Sequence, residues 1–167
     1  MSITAINDAP TLTGTAASAS FTENGASVVL SPSVTVADPD SLTIASATVQ
    51  VNGSFAGDGD VLAATGTVSI TVSYNSSTET LVLTGSDTFA DYQSVLDTVT
   101  FTTASDNPTN YGSAATRTIT WTINDGASSI NTTTVTETLS ITAINDPPTL
   151  ANVASTAAYT ELSAADR

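Results

Sequence analysis

The chain has 167 residues, 40% of them hydrophobic and 5% aromatic, and its 16 acidic side chains against 2 basic ones give a net charge of −14. Such a surface repels nucleic acid and anionic lipid and attracts divalent cations, and no window approaches the roughly 18 apolar residues of a membrane span. With no histidine and no cysteine, disulfides, thiolate zinc sites, cysteine nucleophiles and Ser-His-Asp triads are all excluded.

Met1 leads directly, with no signal-peptide pattern, into Ser2–Leu12, which reads SITAINDAPTL and returns at Ser140–Leu150 as SITAINDPPTL. The offset of 138 residues holds further on, where Phe21-Thr22-Glu23 returns as Tyr159-Thr160-Glu161. A repeat of that length is a whole domain and not a solenoid unit. The chain therefore reads as an excerpt from a tandem array. Residues 1–9 are taken as a linker with the end of a preceding repeat, 10–146 as one module, and 147–167 as a linker with the truncated first strand of the next. Asn7-Asp8-Ala9-Pro10 and Asn145-Asp146-Pro147-Pro148 are the linkers. Proline fixes φ and restricts the residue before it, so each joint is short and extended.

Within the module, apolar residues recur with period two between threonines and serines, which predicts strands. They are expected near 18–23, 28–37 and 42–52. Val68, Ile70, Val72 and Tyr74 form the next inward row, and Leu81 with Leu83 a short strand after a turn at Asn75-Ser76-Ser77. Asp87 to Leu96 reads as a helix of one or two turns, capped by Asp87 or Thr88, with Phe89, Tyr92, Val95 and Leu96 on one side. Val99 and Phe101, then Ile119, Trp121 and Ile123, then Val135, Leu139 and Ile141 are further inward rows, and Glu137 breaks the last. Asp125-Gly126 signals a hairpin between two long strands. About eight short strands separated by turns predict an all-β, Greek-key β-sandwich with Trp121 in its core.

The 12 aspartates concentrate at turns and strand ends, among them Asp8, Asp38, Asp40, Asp58, Asp60, Asp106, Asp125 and Asp146. Asp-Pro and Asp-Gly are ordinary turn dipeptides, and any one alone is a turn before it is a ligand. In combination they match the need of a hard cation for six to eight oxygens. Asp38 and Asp40 stand two apart at a strand end, Asn124-Asp125-Gly126 adds a loop carboxylate beside an amide, and Asn7-Asp8 supplies the linker side. Gly57-Asp58-Gly59-Asp60 is a separate candidate, balanced against a plain loop.

At these residues the chain resembles the cadherin-like repeats of large bacterial surface adhesins, including the type I-secreted RTX class. Glu23 in FTENG looks like the glutamate of the first cadherin strand, VADPD at 36–40 like the Asp-x-Asp motif, and Asn-Asp-x-Pro at each end like the interdomain linker. Asp125 in INDG resembles the later Asp-Gly ligand loop, and Asp91-Tyr92-Gln93 sits where cadherins carry Asp-x-Glu. The resemblance implies an Ig-like or cadherin-like sandwich that binds Ca2+. An N-terminal pole would use Asn7, Asp8, Asp38, Asp40 and Asp125, and a C-terminal pole Glu23, Asp91, Asn145 and Asp146. Ala5 and Gln93 replace acids of the family pattern, so one or two ions per joint are expected.

The function so implied is a calcium-stabilised extender of a cell-surface adhesin, extracellular, used in attachment or biofilm formation and not an enzyme. Its partners would be neighbouring repeats of the same chain, with a surface glycan or protein met by another domain and no nucleic acid or direct membrane insertion. The alternative is a carbohydrate-binding β-sandwich, for which Tyr111 and Tyr159 are the exposed aromatics. The Thr118, Thr120 and Thr122 row would suit an ice or crystal binder, but outward threonines are commonplace on strands. A carboxylate-pair hydrolase sits poorly with a tandem repeat lacking both histidine and lysine.

Overall fold

A computed structural model describes residues 6–153 and residue 156. In chain order these form β1 (Thr11–Thr13), β2 (Ser18–Thr22), β3 (Val28–Val29), β4 (Thr35–Ala37), β5 (Thr43–Asn52), β6 (Asp60–Ala63), β7 (Thr71–Asn75), β8 (Thr80–Thr88), α1 (Phe89–Leu96), β9 (Thr100–Thr103), β10 (Thr116–Asn124) and β11 (Thr132–Thr142). The fold is an all-β sandwich. One layer is a six-stranded sheet in the order β2-β11-β10-β5-β8-β7; the other is made of β3-β9-β6 and β1-β4. β5 lies between the hairpins β7–β8 and β10–β11 although it precedes both, so the connections cross the ends of the sandwich in Greek-key fashion. The truncated strand expected after Leu150 lies largely outside the described residues.

The strands follow from alternation. Ile119, Trp121 and Ile123 of β10 have no exposed surface, while Thr118 ahead of them faces outward and Thr120 and Thr122 between them are half-buried. Val49, Leu81, Leu83 and Leu139 complete the inner face of the large sheet. Phe21 of β2 meets Phe101 of β9 edge-on, ring centroids 5.4 Å apart, and joins the layers. β1 pairs with β4 in one layer and β2 runs parallel to β11 in the other, so the first strand switches sheets between Thr13 and Ser18. Gly14 makes that crossing with φ 75°, where a Cβ would lie 2.2 Å from the Ser33 carbonyl oxygen.

The helix forms as its sequence predicts. Thr88 caps it by accepting from the Asp91 amide, and Tyr92, Val95 and Leu96 are buried. Two polar side chains on and just after it, Gln93 and Asp97, each accept at 2.8 Å from the backbone amides of Val36 and Val34. They cover the open edge of β4.

Three expectations change. The stretch 28–37 is two short strands, since Pro32 cannot donate to a ladder. Val68 is fully exposed, because Thr67–Ile70 is a turn, with the Thr67 hydroxyl accepting from Ile70, and parity is lost ahead of β7. The β10–β11 loop runs from Asp125 to Asn131, wider than a two-residue turn, and is closed by the Asp125 amide on the Asn131 carbonyl.

Glu137, the residue that breaks the inward row, is buried, with its Oε2 accepting from Ser31 Oγ at 2.9 Å and Trp121 Nε1 at 3.2 Å. Its Oε1 is buried with no partner. Burial pushes this carboxyl above the usual range, only partly opposed by those two donors. A carboxyl with a raised folded pKa stabilises most below its unfolded pKa, and that contribution is lost as pH rises through the folded value. Glu137→Gln, nearly isosteric and never charged, should therefore melt at or above the wild-type temperature at pH 7.5. The difference should close as pH falls toward 4, as followed by circular dichroism.

Candidate cation sites at the two ends of the sandwich

Strand register defines two ends. One collects Asn124, Thr132, Ser46 and Thr88; the other collects Thr22, Thr142, Thr116 and Asn52. The first end receives the segment Asn7–Pro10. Asn7 donates its side-chain amide to Asp125 Oδ2 at 2.9 Å and to the carbonyls of Ile130 and Ser129 at 3.0 and 3.3 Å. The Asp8 amide donates to Asp40 Oδ2 at 3.1 Å, and the Thr133 hydroxyl donates to the Pro10 carbonyl. Ile130, a β-branched residue, is held at φ 51°, a strained conformation, while its carbonyl serves Asn7.

The Asp38 carboxylate neighbours those of Asp40 and Asp125. Burial acts to raise its pKa, but the amides of Asp40 and Ser41, both donating to Oδ1, outweigh it and hold the carboxyl below the usual range. Its Oδ2 is buried without a partner. The Asp8 amide pulls Asp40 down, yet the adjacent Asp38 carboxylate leaves it raised. Asn7, Asp8, Asp38, Asp40 and Asp125 thus share one end of the sandwich, drawn from the linker, the β4–β5 turn and the β10–β11 loop. Their carboxylates do not close into a group of three within one another's reach.

At the other end Glu23 is buried, its amide donating to the Thr142 carbonyl and its Oε2 accepting from the Ile144 amide at 2.6 Å. Glu23 Oε1 has no partner. The cleft beside it is lined by Asp106, Asn107, Thr109, Tyr111, Asn145 and Asp146. Asn145 donates to the carbonyl of Asp146 at 3.1 Å, as Asn7 does to that of Asp8 at 2.8 Å, so both Asn-Asp pairs carry the same folded-back amide. Asp91 does not join Glu23. It follows Thr88, which pairs with Thr43 at the opposite end, and its Oδ2 accepts from the Thr88 hydroxyl at 2.5 Å. Its carboxylate is thereby engaged with Thr88, the residue that caps the helix.

Gly57-Asp58-Gly59-Asp60 is more than a plain loop. Asp58, Asp60 and Glu79 bring one oxygen each within 4.8 Å of one another, so the group could hold a metal ion. Glu79 comes from the β7–β8 turn and was not legible as a ligand: only pairing across the sheets brings it to the aspartates. Arg117 of β10 is buried between them, Nε donating to Asp60 Oδ2 at 2.6 Å, with Asp58 Oδ2 3.7 Å from Nη2. Its other donors serve the carbonyls of Ala114 at 2.7 Å and Pro108 at 2.9 Å, and it stacks over Phe55. Burial drives the Asp60 carboxyl up to about 6 against the pull of Arg117. Burial, followed by the charge of Asp58, raises Glu79 as well.

No protein-family model matches this chain, and no curated protein matches it.

Removing one partner of a buried pair leaves the other charge uncompensated, at a cost of roughly 3–5 kcal/mol. Arg117→Met should lower the unfolding free energy by that order at pH 7.5, read from urea titration. Adding Asp60→Asn to it should recover part of the loss.

Proposed function

We propose that the chain is a calcium-stabilised spacer module of a bacterial cell-surface adhesin, stiffened at its joints by hard cations and without enzymatic activity. The observation that carries this reading is the latch of the linker onto the first end: Asn7 on Asp125 and the Asp8 amide on Asp40. A linker so fixed transmits orientation from one module to the next. The matching fold of Asn145 onto Asp146 supports the same latch being offered to a following repeat. Partners would then be copies of the same module in line.

The donor set fits calcium. Asp38 Oδ2 and Glu23 Oε1 are carboxylate oxygens out of solvent with no hydrogen bond, one at each end. Leaving such oxygens unmatched costs about 1–3 kcal/mol or more, and an oxygen-seeking cation removes that cost. At the first end Asp38 with Asp40 or Asp125 would supply carboxylates, and carbonyls and water would complete the six to eight oxygens. Such an ion, when bound, supplies positive charge and cross-linking, not chemistry. The chain's own residues do the positioning: Asn7 fixes the linker and the Asp40 and Ser41 amides aim Asp38.

A carbohydrate-binding reading has one feature in its favour. Tyr111 is 93% exposed beside Asp106 and Asn107 at the second end, an aromatic next to polar groups. Tyr159, the other aromatic of interest, lies outside the described residues. Specific glycan binding lost in Tyr111→Ala would favour it over the spacer.

Melting in calcium, in magnesium and in EDTA tests the proposal. At 100 times its dissociation constant, calcium should add about 2.7 kcal/mol. The Asp38→Ala/Asp40→Ala variant should lose much of that gain. Identical melting of the wild type in calcium and EDTA would remove the metal from the account.

A further inference from the structure

We propose that Asp58, Asp60 and Glu79 bind a calcium-class cation within a single module, stapling the two layers of the sandwich to each other independently of any joint. Asp58 and Asp60 belong to the loop and start of β6, in the three-stranded sheet, and Glu79 to the β7–β8 turn, in the six-stranded sheet. The layers already touch here through the Tyr74 hydroxyl, which donates to the Asp60 carbonyl at 2.7 Å. β6 and β7 are both sheet edges, where neighbouring strands give least support.

Two observations beyond the gathering of acids point to a ligand. Asp60 has a side chain with no exposed surface, yet only Oδ2 is matched, by Arg117; Oδ1 is buried and has no partner. Glu79 Oε2 is likewise buried and unmatched. Arg117 does not answer either, since its donors go to Asp60 and to the carbonyls of Ala114, Thr116 and Pro108, with Nη2 also facing Asp58. Three carboxylates against one guanidinium leave a deficit of positive charge that no other described side chain fills. Oxygens within 4.8 Å of one another suit a cation held at about 2.3–2.6 Å from each. Ser54, Ser76 and Ser77 line the same solvent-open cleft, which leaves room for coordinated water.

Glu79 also sits at φ 49°, a region that glycine enters freely and glutamate does not. The backbone is strained at the residue that supplies the second sheet's carboxylate.

Calorimetric titration of the whole chain with calcium chloride separates this staple from the joint. The wild type should show at least two classes of site. Glu79→Gln should weaken one class tenfold or more and keep the other, whereas Asp38→Ala/Asp40→Ala should spare the class that Glu79→Gln removes. Glu79→Gly gives a second, opposite-signed reading: relieved of strain, it should melt above the wild type in EDTA and gain less from calcium. A folded Glu79→Gln protein that titrates like the wild type overturns the staple and leaves the joint standing. So does loss of all binding in Asp38→Ala/Asp40→Ala.

Discussion

Negative charge in this molecule has almost nothing within the chain to neutralise it. Sixteen acids face two arginines, and Arg117, the only cationic side chain among the described residues, is buried and spent on Asp60 and three carbonyls. Spread over the sheet faces, the excess would be a solvated surface of no further consequence. Instead the fold carries acids to the ends, and several carboxylate oxygens there lie out of solvent without a donor: Asp38 Oδ2, Glu23 Oε1, Asp60 Oδ1 and Glu79 Oε2. Uncompensated oxygens of this kind at several separate places fit a protein that completes itself with cations.

The topology explains why these groups meet. Strands span the sandwich from end to end, so every turn lies at one end or the other, and acids confined to turns are sorted into two groups by strand direction alone. The switch of the first strand from β4 to β11 places the linker over the end that carries the β4–β5 turn and the β10–β11 loop. Backbone strain falls at the same places: Ile130 beside Asn7 and Glu79 beside Asp58 both hold positive φ. Such conformations persist only where the surroundings determine them.

Much of the sandwich was legible in the sequence, because alternation in long strands is a local signal. Trp121 and its neighbours, β5 and β2 follow from it directly, and the helix follows from its Thr88 cap and the apolar side formed by Tyr92, Val95 and Leu96. β1 and β6 are too short to show a period, and Val68 keeps the parity of a strand while lying in a turn. The first-end residues could be gathered from the sequence because each sits in a recognisable turn. Glu79 could not, since its partners are some twenty residues back and in the other sheet. Asp91 illustrates the converse: a motif position suggested a ligand, but strand register puts it at the opposite end from Glu23 and its carboxylate accepts from the hydroxyl of Thr88, the helix cap. Glu137 looked like an error in a pattern and is instead a buried acceptor that anchors Trp121 and Ser31.

The claim on which this account rests is that cations, and not solvent alone, answer the carboxylates at the linker end. The most direct measurement is anomalous diffraction from crystals grown with calcium or a lanthanide substitute. The account predicts a peak at about 2.3–2.6 Å from oxygens of Asp38 and of Asp40 or Asp125. A well-ordered end with those carboxylates surrounded only by water would contradict it.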